Sequence, residues 1–169
     1  MELMASDDPV GYQHALRVIG RYLDSEPAYH VTVVEVDDGF TVRYSPTRHR
    51  AEQVTARFPW TRLRDLRVFN TAARGRGPRP GRYAGLRAEV PGGYQDFLRA
   101  LGAMLDDSRA AGLSLDALPG GMAVSYLREQ PDNPFQAEKY YSILDRSKME
   151  DILSEGLARR ITNVTPFRS

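Results

Sequence analysis

The sequence predicts an α+β fold built by internal duplication of one α-β-β-β-α unit, with antiparallel sheets, helices on one side, and a pseudo-two-fold relation between the copies. Three observations carry this. Gly11 to Tyr44 repeats as Gly93 to Tyr126, an ungapped offset of 82 with identity at 12 of 34 positions, where unrelated sequences match at roughly two. Apolar residues recur at helical spacing in two pairs of segments, and between them lie runs that alternate apolar with polar around turn signals.

The first helix is expected to start at Asp7-Asp8-Pro9, an acidic cap with proline in the first turn, and to present Tyr12, Leu16, Ile19 and Leu23 on one face. Asp24-Ser25-Glu26-Pro27 ends it. Gly20 inside this helix costs about 1 kcal/mol relative to alanine, and Gly102 sits at the same place in the second copy. A penalty incurred twice implies close approach of another backbone.

Val31 to Val36 and Phe40 to Ser45 form a hairpin across Asp37-Asp38-Gly39, and Gln53 to Phe58 makes a third strand. In the second copy, Leu113, Leu115 and Ala117 alternate with Ser114 and Asp116 before Pro119-Gly120-Gly121. Thr61 caps a second helix carrying Leu63, Leu66, Phe69 and Ala73; its counterpart opens at Ser147-Lys148-Met149-Glu150, a capping-box pattern, with Met149, Ile152 and Leu157 as its stripe. These helices correspond at an offset of 86, which places a four-residue insertion between Glu129 and Gln136. Insertions belong in loops, and Gln130-Pro131-Asp132-Asn133-Pro134 supplies one.

The units are therefore 9–74 and 93–162, joined by an Arg/Gly/Pro linker over 75–92 and followed by a tail at 163–169. Leu86 to Val90 alternate as an extra edge strand would. A unit of this size buries only about 60% of its surface and is marginal alone, so the copies are expected to dock. The first strand of unit one is the expected seam, since Val34 and Val36 put apolar groups opposite Val31 and Val33.

The 169 residues contain no cysteine, which removes disulfides, thiolate nucleophiles and cysteine-ligated metal. No apolar run is long enough to span a membrane, and no basic leader with an apolar stretch opens the chain, so the expected address is the cytosol, with no membrane partner. Arginine outnumbers lysine 21 to 2, a bias that either a GC-rich, bacterial-like genome or a need for guanidinium chemistry would produce.

Charge divides the copies. Residues 43–82 hold eleven arginines against Glu52 and Asp65, a net of +9, whereas 125–168 hold seven basic and seven acidic residues. Arg48, His49, Arg50, Arg57, Arg62, Arg64 and Arg67 with Trp60 are the candidate anion or nucleic-acid site, because guanidinium groups grip phosphates and an indole stacks a base. The alternative is a solvated arginine face neutralised by acids of the second copy. Tyr12, Gln13 and Arg17, with Tyr94, Gln95 and Arg99, form the most specific repeated polar set and are expected where the copies meet. His14, His30 and His49 lack metal-pair spacing, and no catalytic set, metal site or cofactor motif is found. The expected function is a non-catalytic binding or interaction protein; nucleic-acid binding and an enzyme site between the copies are the two alternatives.

Overall fold

The computed structural model describes residues 11–49, 52–65, 90–130 and 133–164. Its elements in chain order are α1 (Tyr12–Asp24), β1 (Tyr29–Val36), β2 (Gly39–Ser45), β3 (Val54–Pro59), α2 (residues 60–65), α3 (Tyr94–Asp107), β4 (Ala110–Leu118), β5 (Gly121–Gln130), β6 (Asn133–Asp145) and α4 (Arg146–Val164). The fold is α+β. All six strands belong to one antiparallel sheet in the order β3-β2-β1-β4-β5-β6. The expectation of a separate three-stranded sheet in each unit is thereby corrected: two hairpin systems share one sheet because their first strands pair edge to edge.

That seam lies on the expected strand but works through a different surface. Thr32, Val33 and Val34 of β1 face Asp116, Leu115 and Ser114 of β4 across a backbone ladder. Apolar matching of Val34 and Val36 against the other half is not what joins them; both are half-buried on the sheet face away from the helices. Strand pairing satisfies the N–H and C=O groups that each hairpin system would otherwise leave open at an edge. Thr32 Oγ1 adds a side-chain bond to Asp116 across the seam, at 2.8 Å.

One face of the sheet is the core. Period-two alternation points Val31, Val33, Phe40, Val42, Tyr44, Phe58, Leu113, Leu115, Met122, Val124 and Leu144 toward the helices, where they are buried with Leu16, Ile19, Leu23, Phe97, Leu98, Leu101 and Leu105. Each fully buried Leu, Ile or Phe contributes roughly 1.5–3 kcal/mol of transfer free energy. A single cluster spans both halves of the chain.

The helices α1 and α3 run antiparallel and touch backbone to backbone. A Cβ built on Gly20 would lie 2.5 Å from the Tyr94 carbonyl oxygen, and one on Gly102 would lie 2.5 Å from that of Tyr12. The backbone approach expected at these two glycines is therefore present, and it is reciprocal. At both ends of the pair a carboxylate from one helix caps the other. Asp106 accepts from the Tyr12 and Gln13 N–H groups at 2.8 and 3.1 Å, and Asp24 accepts from Tyr94 and Gln95 at 2.9 and 3.0 Å. The starts of these helices differ from expectation in this respect: Asp7, Asp8 and Pro9 lie outside the described residues, and α1 has Gly11 at its N-cap with no side-chain cap of its own.

The remaining helices also shift slightly. Residue 60 is already helical, so Thr61 lies within the first turn of α2 rather than ahead of it, and Leu63 is fully buried. Leu66, Phe69, Ala73, most of the 75–92 linker and the strand expected over Leu86 to Val90, except Val90 itself, fall outside the described residues. The α4 helix begins at Arg146, and its first turn is capped by Asp145, whose Oδ1 accepts from Lys148 N–H at 2.8 Å; Ser147 lies inside the helix. Met149 is buried and Ile152 half-buried as expected, but Leu157 is exposed. Gly156 instead faces α3, where an added Cβ would meet the Ala100 Cβ at 2.5 Å. The helix continues through Ile161 to Val164.

The segment expected to hold a loop insertion falls in a hairpin instead, with Gln130 ending β5 and Asn133 opening β6. β6 has 13 residues against six in β3, and its pairing with β5 is irregular between Glu129 and Gln130, inside the predicted segment.

Candidate binding face

Of the candidate anion-site residues, the described ones are spread over the loop after β2, strand β3 and helix α2. Arg48 sits in the exposed loop after β2, its guanidinium 5.9 Å from the Tyr29 ring centroid. His49 is exposed beside it, and its carbonyl accepts from Thr47 Oγ1 at 2.7 Å. Arg57 projects from β3 on the face away from the helices and meets Asp38 at 3.7 Å in a solvent-exposed pair. Arg62 folds over the Phe58 ring at 5.2 Å and donates to the Arg57 carbonyl at 3.4 Å. Arg64 is half-buried. Arg50 and Arg67 lie outside the described residues.

Trp60 is committed to packing. Its indole meets Phe40 edge-on with centroids 4.9 Å apart, the geometry aromatic quadrupoles favour, and it borders the core. The contact engages part of the indole, which is half-buried.

Of the repeated polar set, the backbones of Tyr12, Gln13, Tyr94 and Gln95 border the α1–α3 contact. Tyr12 and Tyr94 are buried, and Gln13, Arg17, Gln95 and Arg99 are half-buried. The Tyr12 hydroxyl donates a hydrogen bond to Glu35, whose same oxygen accepts from Leu113 N–H at 3.1 Å. Glu35 of β1 thus ties α1 to β4. Burial, reinforced by the hydrogen bond to Glu35, holds the Tyr12 phenol well above its ordinary pKa. Burial does the same to Tyr44, whose hydroxyl meets that of Tyr22 at 2.7 Å.

Two of the three histidines have structural partners. A carbonyl only accepts, so His14 Nε2 carries the proton it donates to Leu63 at 2.8 Å, and His30 Nε2 does likewise toward Arg48 at 3.0 Å. Among the described residues no group of three or more His, Asp or Glu side chains is placed to hold a metal ion, and no helix is long and apolar enough to cross a membrane.

What the sequence reading missed is the other face of the sheet. The register places Ala123, Ser125 and Leu127 of β5 beside Ile143, Tyr141 and Lys139 of β6 on the side away from the helices. Tyr141 is 67% exposed, Ile143 52% and Leu127 40%. The signal was present in β6, where Tyr140 and Leu144 alternate with Tyr141 and Ile143, so both faces are apolar and only one can reach the core. Toward the opposite edge the same face carries exposed Arg43 and Arg57. It therefore carries most of its exposed apolar surface on β5 and β6, beside Lys139, and two arginines on β2 and β3, one of them paired with Asp38.

On the helix side of the β5–β6 hairpin, Tyr126 and Tyr140 stack with centroids 5.4 Å apart, Arg128 lies over Tyr140 at 5.9 Å, and Tyr140 donates to Glu138 at 3.3 Å. Adjacent aromatic and charged rungs stiffen this hairpin where it is longest. Comparisons with protein-family models, with curated proteins and with solved structures returned no match.

Proposed function

We propose that the chain is a non-catalytic interaction protein, duplicated about a pseudo-two-fold axis, that binds an acidic and apolar protein surface on the open face of its sheet. The duplication reading is supported by the seam: Val33 and Leu115, 82 positions apart, face each other, and the flanking pairs exchange under the same step. The cap carboxylates Asp24 and Asp106 obey it as well. So does a β-bulge, since both first strands slip register before Thr32 and before Ser114, with left-handed backbone at His30 (φ 55°) and Gly112 (φ 62°). Units 9–74 and 93–162 are the proposed copies.

The binding reading rests on one observation, the side-by-side exposure of Tyr141 and Ile143 beyond what strand alternation requires. Arg43 and Arg57 on the same face favour acidic groups in the partner. The second reading, nucleic-acid binding in the first copy, is favoured by the exposure of Arg48, Arg57 and Arg62 and disfavoured by the engagement of Trp60.

Amide NMR spectra recorded with peptides that combine Asp or Glu with Leu or Phe, and separately with single-stranded RNA, test the choice. Peptide-induced shifts on β5 and β6, lost in Ile143→Lys, are expected. RNA-induced shifts at Arg48 to Arg62 that fade with added salt would replace this reading with the second. No shift with either probe would remove both.

A further inference from the structure

The two edges of the sheet are not alike. β3 is six residues long, ends in Pro59, which has no N–H to donate, and carries Arg57, features that discourage pairing with another strand. β6 is thirteen residues long, and from Phe135 to Asp145 it has neither proline nor glycine. Tyr140, Tyr141 and Ile143 give this edge high strand propensity. Among the described residues no strand pairs with this outer side of β6, which leaves it a row of backbone donors and acceptors.

We propose that β6 pairs with β6 of a second copy of this chain, antiparallel about Ser142, joining two sheets into one of twelve strands. The sequence of the edge is complementary to itself in this register. Lys139 falls opposite the partner's Asp145, Tyr141 opposite the partner's Ile143, and Tyr140 opposite the partner's Leu144. Opposed residues in an antiparallel ladder share a face, so the sheet continues only in registers that keep parity. Sliding by one such step sets Lys139 against the partner's Ile143 or Ser147 and loses the charge match.

Charge complementarity thus selects both the occupant and the register. One oxygen of Asp145 already caps α4 through Lys148, and a carboxylate accommodates further donors. The pairing is isologous and uses up the open edge of each copy, so it closes at two rather than propagating. Edge pairing alone buries less than a standard interface, so a reversible dimer with a dissociation constant in roughly the micromolar range is expected. The two Tyr141–Ile143 patches would meet at the dimer axis. The inference is separate from the ligand reading, since self-association is measured with no other component present.

Sedimentation of the full chain over a concentration series tests it. A reversible dimer is expected, and Lys139→Glu, which opposes like charges at two symmetric positions, should weaken it roughly tenfold. Because the chain has no cysteine, Ser142→Cys places one thiol per copy at the axis, where opposed Cα atoms lie about 4.5–5.5 Å apart, within disulfide reach. Mild oxidation should cross-link Ser142→Cys but not Thr55→Cys on the β3 edge. Lys139, Ser142 and Thr55 are exposed, so unchanged circular dichroism is the folding control. A monomer up to roughly millimolar concentration overturns the proposal. So does a Lys139→Glu dimer as tight as the parent, or a Ser142→Cys chain that cross-links no faster than Thr55→Cys.

Discussion

Asp106 closes α3 and opens α1: its two carboxylate oxygens accept the Tyr12 and Gln13 N–H groups at 2.8 and 3.1 Å, across 94 and 93 residues of sequence. The first N–H groups of a helix lack partners within it, and their dipoles favour negative charge. Here that charge comes from a neighbouring helix. Asp24 provides the same service to Tyr94 and Gln95.

Asp106→Ala and Asp24→Ala should each destabilise the protein by about 1–2 kcal/mol, the usual cost of a lost N-cap. Asparagine at either position should recover much of the loss, since its amide oxygen still accepts. Urea unfolding followed by far-ultraviolet circular dichroism measures both effects, and an Asp106→Ala midpoint equal to the parent's would contradict the capping role.

Gly20→Ala and Gly102→Ala oppose helix propensity to packing. An isolated helix gains about 1 kcal/mol from the exchange. In the folded chain the new methyl would sit 2.5 Å from a carbonyl oxygen of the facing helix, and overpacking costs about 1–3 kcal/mol. A lowered thermal midpoint is expected for each variant. An unchanged or raised midpoint would show that α1 and α3 separate at little cost.

Stability should fall as pH rises above about 10. The Tyr12 and Tyr44 phenols are held protonated in the fold, Tyr12 by burial and Glu35, Tyr44 by burial and Tyr22, whereas in the unfolded chain they ionise near 10.0. Folded pKa values raised above unfolded ones mean that the unfolded state loses protons first, so this stabilisation is full below the unfolded pKa and is lost progressively as pH rises from there toward the folded values. Urea midpoints measured between about pH 9 and pH 11 should drop, and the drop should be smaller in a Tyr12→Phe, Tyr44→Phe double variant. Equal slopes in parent and variant would exclude these two groups as the cause.

The halves should not fold alone. Cutting between β3 and α3 removes the β1–β4 ladder, both helix caps and one side of a shared core in a single step. The intact chain is expected to unfold in one transition, with coincident fluorescence and circular dichroism curves, while fragments 1–89 and 90–169 expressed separately show little helix. Two resolved transitions in the intact chain would contradict a common core.

Much of the local structure was legible. The alternation of Phe40, Val42 and Tyr44 shows which sheet face is buried, Asp37-Asp38-Gly39 marks its turn, and paired glycines announce the α1–α3 contact, because these signals act between near neighbours or through a steric demand that only glycine meets. The binding face was less legible. Eleven arginines suggested a basic site; six of them lie outside the described residues, and charge composition alone does not say where the others end up, as Arg62 over Phe58 and Arg57 against Asp38 illustrate.

By itself the sequence determined the order of helices and strands and the apolar face of each, since periodicity is a property of the local backbone. Only the tertiary structure decided that β1 meets β4 to make one sheet, that Asp24 and Asp106 cap helices other than their own, and that Tyr141 and Ile143 stay outside. Period-two alternation tells which way a side chain points but not which strand lies beside it. Neighbours in a sheet are chosen by backbone groups that every residue carries alike.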